Sequence, residues 1–206
     1  MDRAFASIAF SEASRLLQER YGSRRSYARL EKEEYLGGLT GNEIGFIESL
    51  DGFFLATTAT SGYPYIQFRG GPKGFLKVLD SGTLGMADYA GNRQYITTGN
   101  LETNNKAALF LMDYASKTRL KLFATVSIHE LNERPDLAER LMPKGYAAKA
   151  ERIMLFHIQG YDWNCPQHIT PRYTEEEVQE ALQPLMERVQ KLEKELEMLK
   201  KSSDPI

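Results

Sequence analysis

The sequence is poor in cysteine: Cys165 is the only one in 206 residues, which excludes an internal disulfide bond. A chain without disulfides is typical of a reducing compartment, so we expect a cytoplasmic protein. No apolar run approaches the roughly 20 residues that span a membrane, and the first residues lack the pattern of a signal peptide. With 26 basic and 28 acidic residues, the net charge of -2 gives no general case for binding nucleic acid or a membrane surface.

Motifs of common binding sites are also missing. The glycine-rich segment GGPKG (70–74) has the spacing of neither a dinucleotide fingerprint nor a P-loop. We interpret it as a strand interruption or a bulge. His129, His157 and His168 lack metal-ligand spacing and Cys165 has no second thiol nearby, so a zinc site is not expected.

What is present divides into three zones. Residues 1–50 have mostly helical patterns, with Ser11 as a candidate cap and a Thr40–Glu43 capping box. The stretch 52–163 holds six or so short strands joined by short connections, which favours an antiparallel barrel over a parallel sheet. With 42% hydrophobic residues the chain can build a real core. We predict one domain over 1–173 and a helical extension over 174–206.

The extension carries a strict heptad pattern. Apolar residues alternate at spacings of four and three over about three heptads, at Val178, Leu182, Leu185, Val189, Leu192, Leu196 and Leu199. Pro184 interrupts this pattern, so either the helix kinks there or a second helix begins there. Two roles remain open for the helix: an extension of a dimer interface, or an assembly module.

The stretch 91–106, GNRQYITTGNLETNNK, lies between two strand-like runs and is almost wholly polar. Arg93 lies at its start, and three other cations lie at or in predicted strands: Arg69, Lys77 and Arg119. Each alone is typical of a solvated surface charge. Several near the strand ends of one small barrel favour a phosphate site, because phosphate requires arginine forks and amide donors together.

Two segments, LKVLDSGTLGMADYAGNRQ (76–94) and NNKAALFLMDY (104–114), resemble the pyridoxamine 5'-phosphate oxidase family, the FMN-binding split barrels. In that family a strand with a lysine leads through a hairpin to a Gly-Ser-Arg-Lys turn. A helix ending in Asn-Asn-Pro-Arg and an apolar strand follow. Here the lysine is Lys77 and the turn is 91–94. The resemblance implies that LETNNK (101–106) belongs to the short helix. The resemblance covers roughly residues 52–130 and implies a mainly β fold with flanking helices, an FMN-binding split β-barrel.

The resemblance also implies a homodimer that holds two FMN molecules at its interface. It implies that Arg93, with Asn92 and Gln94, holds the FMN phosphate, and that Lys77 lies near the flavin.

Further candidates for contact with the flavin follow from the same resemblance. Gln67 and Arg69 stand near the family's Gln-Arg pair, and Arg119 stands where the family has a flavin-contacting glutamine. Trp163 replaces a C-terminal tryptophan that reaches the partner's flavin, and His168 stands alone in NCPQHI. A cation near the pyrimidine end of the flavin, from Arg69, Lys77 or Arg119, would stabilise the reduced, anionic form.

The chain departs from the family pattern at two motifs. Gln94 stands where the family has lysine, and the C-terminal Arg-x-His substrate motif is absent. We therefore predict an FMN-dependent oxidoreductase of an uncharacterised subgroup, distinct from the vitamin B6 enzyme proper, and its small-molecule substrate or electron donor is not identified by the sequence. The alternative is a non-catalytic split barrel that binds flavin or haem.

Overall fold

The computed structural model describes residues 5–32, 38–164 and 166–202, so Cys165 lies outside the described residues. Its helices are α1 (Phe5–Ala9), α2 (Glu12–Arg20), α3 (Arg24–Leu30), α4 (Gly41–Ser49), α5 (Ile96–Thr103), α6 (Pro135–Leu141) and α7 (Glu175–Ser202). Its strands are β1 (Gly52–Thr58), β2 (Pro64–Gly70), β3 (Lys77–Asp80), β4 (Thr83–Tyr89), β5 (Lys106–Asp113), β6 (Thr118–Glu130) and β7 (Ala150–Trp163). Among these helices, none has both the length and the apolar character needed to cross a membrane.

The predicted helix caps of the first zone are confirmed. The Ser11 hydroxyl accepts a hydrogen bond of 3.1 Å from the backbone N–H of Ser14 and so caps α2. At the start of α4, the backbone N–H of Thr40 donates to the Glu43 carboxylate at 2.9 Å within a complete capping box. These side chains supply partners for backbone groups that a helix end leaves unsatisfied.

The described strands form one seven-stranded sheet in the order β2-β1-β5-β6-β7-β4-β3. Each pair of neighbours is antiparallel, as the short connections predicted. In β6, every second residue from Leu120 to Val126 is buried, which is the period-2 pattern of a strand with one core face.

The main core cluster lies on one face of this sheet, and a smaller cluster packs α6 against the other face of β7. Phe53 of β1 packs edge-on against Phe156 of β7 with ring centroids 6.1 Å apart, and both side chains are buried. From α4, Ile47 is fully buried in the same cluster. The prediction of a mainly β fold, a split barrel with flanking helices and a C-terminal helix, is confirmed.

Helix α5 lies earlier in the sequence than predicted. It begins at Ile96 and ends at Thr103, so LETNNK is helical only in its first three residues. Two interactions end the helix here. The Asn104 side chain accepts a 3.2 Å hydrogen bond from the backbone N–H of Lys106, and the Asn105 carbonyl accepts one of 2.7 Å from Val126. The second bond places residue 105 beside β6, where β5 begins.

By its backbone contacts the chain divides into two compact units. The second unit comprises the turn Tyr114–Lys117 and the chain from His168 onward, and it includes α7. Helix α7 is continuous over 28 residues with Pro184 inside it, so no second helix begins there. Thr174 and Glu177 exchange the two hydrogen bonds of a capping box at its start. The predicted boundary between 173 and 174 stays a prediction.

Candidate functional site

A pocket of about 170 Å³ lies where β2, the end of β4, the loop 91–95 and the first turn of α5 meet. The start of β7 completes its wall. Among its lining residues are five of the candidates from the sequence: Gln67, Arg69, Asn92, Arg93 and Gln94. The structure thus brings together residues that are up to 27 positions apart in the chain.

Strand β2 directs Gln67 and Arg69 to the pocket because alternate residues of a strand share one face. The other face of β2 carries Ile66 and Phe68, which are 64% and 58% exposed. The polar residues of this strand therefore lie towards the inside of the barrel and its apolar residues lie outside. This inversion of the usual pattern indicates that the inner side of β2 serves a polar site, and it leaves two large apolar side chains exposed on the outer side.

A buried ion-pair network forms one wall of the pocket. Asp88 accepts a 2.6 Å hydrogen bond from Nη1 of Arg69 at one carboxylate oxygen. Its other oxygen accepts bonds of 3.1 and 3.3 Å from Nη2 and Nε of Arg152, its cross-strand neighbour in β7. The Asp88 side chain is only 3% exposed. Burial lowers the pKa of Arg152, but its hydrogen bond to Asp88 and the nearby negative charge outweigh burial and raise it.

The loop between β4 and α5 holds two residues in the left-handed backbone region, Arg93 at φ 59° and Tyr95 at φ 54°. Residues other than glycine adopt this region at a cost of roughly 1–3 kcal/mol, and such strain is concentrated at functional sites. Within the loop, the Asn92 side chain accepts a 3.2 Å hydrogen bond from the backbone N–H of Gln94. The Arg93 side chain is exposed and forms no ion pair with the residues that the structure describes.

The first turn of α5 faces the pocket with Ile96, Thr97 and Thr98. Tyr95, at the cap position, makes no side-chain capping bond, so it leaves the first backbone N–H groups of the helix to other partners. The Thr97 hydroxyl donates a 2.8 Å hydrogen bond to the side-chain carbonyl of Gln67, which ties α5 to β2. A helix N-terminus with free N–H groups and a positive dipole end favours an anion.

Two lining residues each hold a buried polar atom that has no hydrogen-bond partner within the described part of the chain. They are Nε of Arg69 and the hydroxyl of Tyr89. Buried polar atoms are nearly always satisfied, so these two indicate a ligand or ordered water in the pocket. Burial raises the pKa of Tyr89, with a smaller contribution from Tyr146, so its hydroxyl stays a neutral donor near pH 7.

The electrostatic balance of the pocket is positive. Three guanidinium groups line it, those of Arg69, Arg93 and Arg152, against the two carboxylates of Asp88 and Glu151. Asp88 lies between two of the arginines, and Glu151 accepts a 3.0 Å hydrogen bond from Arg152. Arg93 is left as the cation whose charge is not offset locally. The donors present suit a phosphate monoester: an arginine fork, helix N–H groups, a phenol and a buried Nε.

The other four candidates do not line this pocket. Lys77 lies at the start of β3 in a second pocket with Lys73 and Arg140, facing Glu48. Arg119 lies in β6, where its backbone carbonyl accepts a 3.1 Å hydrogen bond from Asn164.

Trp163 donates a 2.7 Å hydrogen bond from Nε1 to Glu43, and its ring packs edge-on against Phe46. Burial by itself raises the pKa of Glu43, but hydrogen bonds from Thr40 and Trp163 outweigh it and hold that pKa below its ordinary value. His168 belongs to the second unit, with its backbone at φ 63°. The proposed flavin contacts of Lys77, Arg119, Trp163 and His168 stay predictions.

Sequence reasoning missed Asp88 and Arg152. A usable signal was present for Asp88, since an acid in the otherwise apolar strand TLGMADY requires a buried cationic partner. Nothing in the sequence assigns that partner to Arg152, because the pairing depends on the register of β4 against β7. Across the part of the chain that the structure describes, no three His, Cys, Asp or Glu residues cluster as metal ligands would.

Residues 44–163 match the family model described as pyridoxamine 5'-phosphate oxidase, which is more than half of the chain. No curated protein matches.

Three solved structures illustrate the similarity. HupZ from Group A Streptococcus shares 14% identity at a TM-score of 0.46, over 66% of this chain and all of that one. A Clostridium acetobutylicum protein related to general stress protein 26, of the pyridoxinephosphate oxidase family, shares 20% identity at a TM-score of 0.44. The match covers 63% of this chain and 88% of that one. An FMN-binding protein from Syntrophomonas wolfei shares 12% identity at a TM-score of 0.43. The match covers 71% of this chain and 97% of that one. All three TM-scores are low, so the family match alone carries the assignment.

Proposed function

Because the chain belongs to the pyridoxamine 5'-phosphate oxidase family, we propose that it is an FMN-binding flavoprotein and an oxidoreductase. One observation carries the proposal: Arg93, the uncapped N-terminus of α5 and two unsatisfied buried polar atoms line a single pocket. This pocket lies within the residues that match the family model.

Each group has a definite role in this proposal. Arg93 forms the charged fork for the terminal phosphate of FMN, and the first N–H groups of α5 donate to the same phosphate. The Nε of Arg69 and the hydroxyl of Tyr89 supply two further donors. Asp88 does not touch the phosphate; it holds Arg69 and Arg152 in place by hydrogen bonds. Asn92 shapes the loop through its bond to the N–H of Gln94.

The size of the pocket supports a homodimer. Its volume of about 170 Å³ is below the roughly 300–1,000 Å³ of sites that enclose a drug-sized ligand. It can hold the phosphate end of FMN, and the ring system requires further walls. The exposed Ile66 and Phe68 lie on the same strand as Gln67 and Arg69, on its other face. We propose that a second copy packs along β2, which is the edge strand of the sheet, so that it covers this face and reaches past the edge to complete the flavin site.

When bound, FMN supplies hydride or electron transfer. The chain's own residues bind the cofactor, orient it and exclude water from its phosphate. We assign no general acid or base to the protein.

The cofactor is tested with FMN and riboflavin as a matched pair, since riboflavin lacks only the phosphate. The mass of any ligand released from denatured protein identifies the native cofactor. Fluorescence titration of the apoprotein should give an affinity for FMN at least ten times that for riboflavin. Equal affinities, or a released ligand without flavin, would contradict the proposal.

A second measurement separates an oxidoreductase from a flavin carrier. The FMN-loaded protein is mixed anaerobically with NADH or NADPH, and the bleaching of the flavin absorbance is followed. Reoxidation by oxygen or a quinone then completes a turnover. A flavin that neither reductant bleaches in minutes would favour the non-catalytic alternative.

A further inference from the structure

Helix α7 presents an apolar stripe that the proposed flavin site does not use. Its members are 43–64% exposed and occupy successive core positions of a heptad repeat, namely Val178, Leu182, Leu185, Val189, Leu192, Leu196 and Leu199. We call these residues the α7 seam. The surface helix of a globular domain usually buries a broader stripe, whereas a seam that repeats at two heptad positions is typical of a coiled coil. Met186 and Met198 are the other large apolar residues exposed on the described part of α7, and they do not repeat at the heptad period.

The period of the seam is 3.5 residues, which is the period at which two helices remain in contact by supercoiling. Leu182, Val189 and Leu196 take the first core position of the heptad. Leucine fills the second core position at 185, 192 and 199, and the β-branched Val189 takes one of the three first positions, which is the part of the seam that matches the two-stranded pattern. The seam runs from Val178 to Leu199 within the 28 residues of α7, so it extends over roughly 30 Å at ~1.5 Å per residue.

Pro184 does not interfere with such pairing. It occupies an outer heptad position, away from the seam, and is exposed. Proline removes the hydrogen bond to the carbonyl four residues earlier, that of Glu180. Glu180 is exposed too, so water can satisfy that carbonyl.

The charges that flank the seam identify its occupant. Residues on its two edges include Arg188, Glu193 and Glu195. In a parallel pair of α7 helices, Arg188 faces Glu193 of the second copy. In an antiparallel pair aligned over the seam, Arg188 faces Glu195 of the second copy. Neither arrangement opposes like charges among these edge residues, so the helix is complementary to itself.

We infer that the α7 seam pairs with the α7 seam of a second copy in a two-stranded coiled coil. The inference does not depend on flavin binding, since it rests on the heptad seam and its edge charges. It gives the protein an assembly contact separate from the one proposed at β2.

Cysteine cross-linking tests this contact directly in the full chain. With Cys165→Ser, Leu192→Cys places the only thiol in the seam, and the matched control Lys194→Cys places it on the opposite side of the helix. Mild oxidation of Leu192→Cys should link two parallel copies. A mixture of Leu192→Cys and Val189→Cys chains should link antiparallel ones. We expect either seam pair to form at least ten times faster than the control.

Charge reversal gives a second readout by sedimentation equilibrium. Arg188→Glu should raise the dissociation constant of this contact several-fold. Adding Glu193→Arg to Arg188→Glu should restore the dissociation constant of the parent chain if the pair is parallel. Adding Glu195→Arg instead should restore it if the pair is antiparallel. The inference would be overturned if the seam thiols form no disulfide between copies and yet are protected from maleimide. The seam would then be covered by another part of the same chain or by another protein. Cross-linking of the control at the seam rate would overturn it too.

Discussion

The guanidinium of Arg69 in β2 lies 2.6 Å from the carboxylate of Asp88 in β4, although four other strands separate β2 from β4 in the sheet. Both side chains are almost buried, at 13% and 3% exposure. The contact requires that the sheet curls until β2, its first strand, comes close to β4, the strand next to its other end. The candidate phosphate pocket lies at this meeting point, so the ion pair that closes the barrel also forms a wall of the site.

Asp88→Asn should lower the free energy of unfolding by about 3 kcal/mol, because removing one partner of a buried ion pair leaves an uncompensated charge. Urea denaturation at pH 7 measures it. The control is Asp162→Asn, which breaks the exposed pair with Lys121 and should cost at most about 1 kcal/mol. Similar losses in both variants would mean that Asp88 does not stabilise the barrel closure.

Arg93→Ala should weaken FMN binding by roughly 1.5–3 kcal/mol, the value of a hydrogen bond to a charged group. Riboflavin affinity should not change, because the lost contact is to the phosphate. Arg93→Lys keeps the charge without the fork, so its FMN affinity should lie between those of the parent chain and Arg93→Ala. Fluorescence titration gives all the affinities. If Arg93→Ala binds FMN as well as the parent chain does, Arg93 is not part of the site.

Glu43→Gln should lower the free energy of unfolding at pH 7 by about 1–2 kcal/mol, since Glu43 accepts hydrogen bonds from Thr40 and Trp163. The pKa of Glu43 is depressed in the folded state, so its carboxylate contributes stability above the unfolded value of about 4.3. That contribution is lost as the pH falls through the lower folded pKa.

The difference between the parent chain and Glu43→Gln should therefore shrink below about pH 4. Trp163 is the single tryptophan, so its emission reports this contact. The exposed Glu187→Gln is the matched control. A difference that stays constant from pH 7 to pH 3 would assign the effect to packing instead of the charge.

Pyridoxamine 5'-phosphate should be oxidised slowly or not at all. The family substrate motif, Arg-x-His, places arginine and histidine two positions apart, whereas His168 and Arg172 lie four positions apart here. Arg172 is further engaged within its unit, with its guanidinium carbon 4.9 Å from the centre of the Tyr114 ring. Hydrogen peroxide release by the FMN-loaded protein measures the rate. A kcat/KM above ~10⁴ M⁻¹s⁻¹ would show that other residues replace the motif.

Features that depend on neighbouring residues could be read from the sequence alone. The Thr40–Glu43 and Thr174–Glu177 capping boxes, the antiparallel strands and the heptad helix all follow from patterns a few residues long. The loop around Arg93 is recognisable for the same reason, because its polar composition departs from that of an ordinary turn. The family resemblance extended this local reading to the whole barrel.

Contacts between distant residues were decided by the tertiary structure. Arg69 and Asp88 are 19 positions apart, and Asp88 and Arg152 are 64 apart. No local pattern determines which strands meet when a sheet closes, because closure depends on the curl and register of all seven strands. The same holds for Trp163, whose hydrogen bond to Glu43 spans 120 positions. The sequence by itself determined the elements and the loop that carries Arg93. Barrel closure decided which charges surround that loop.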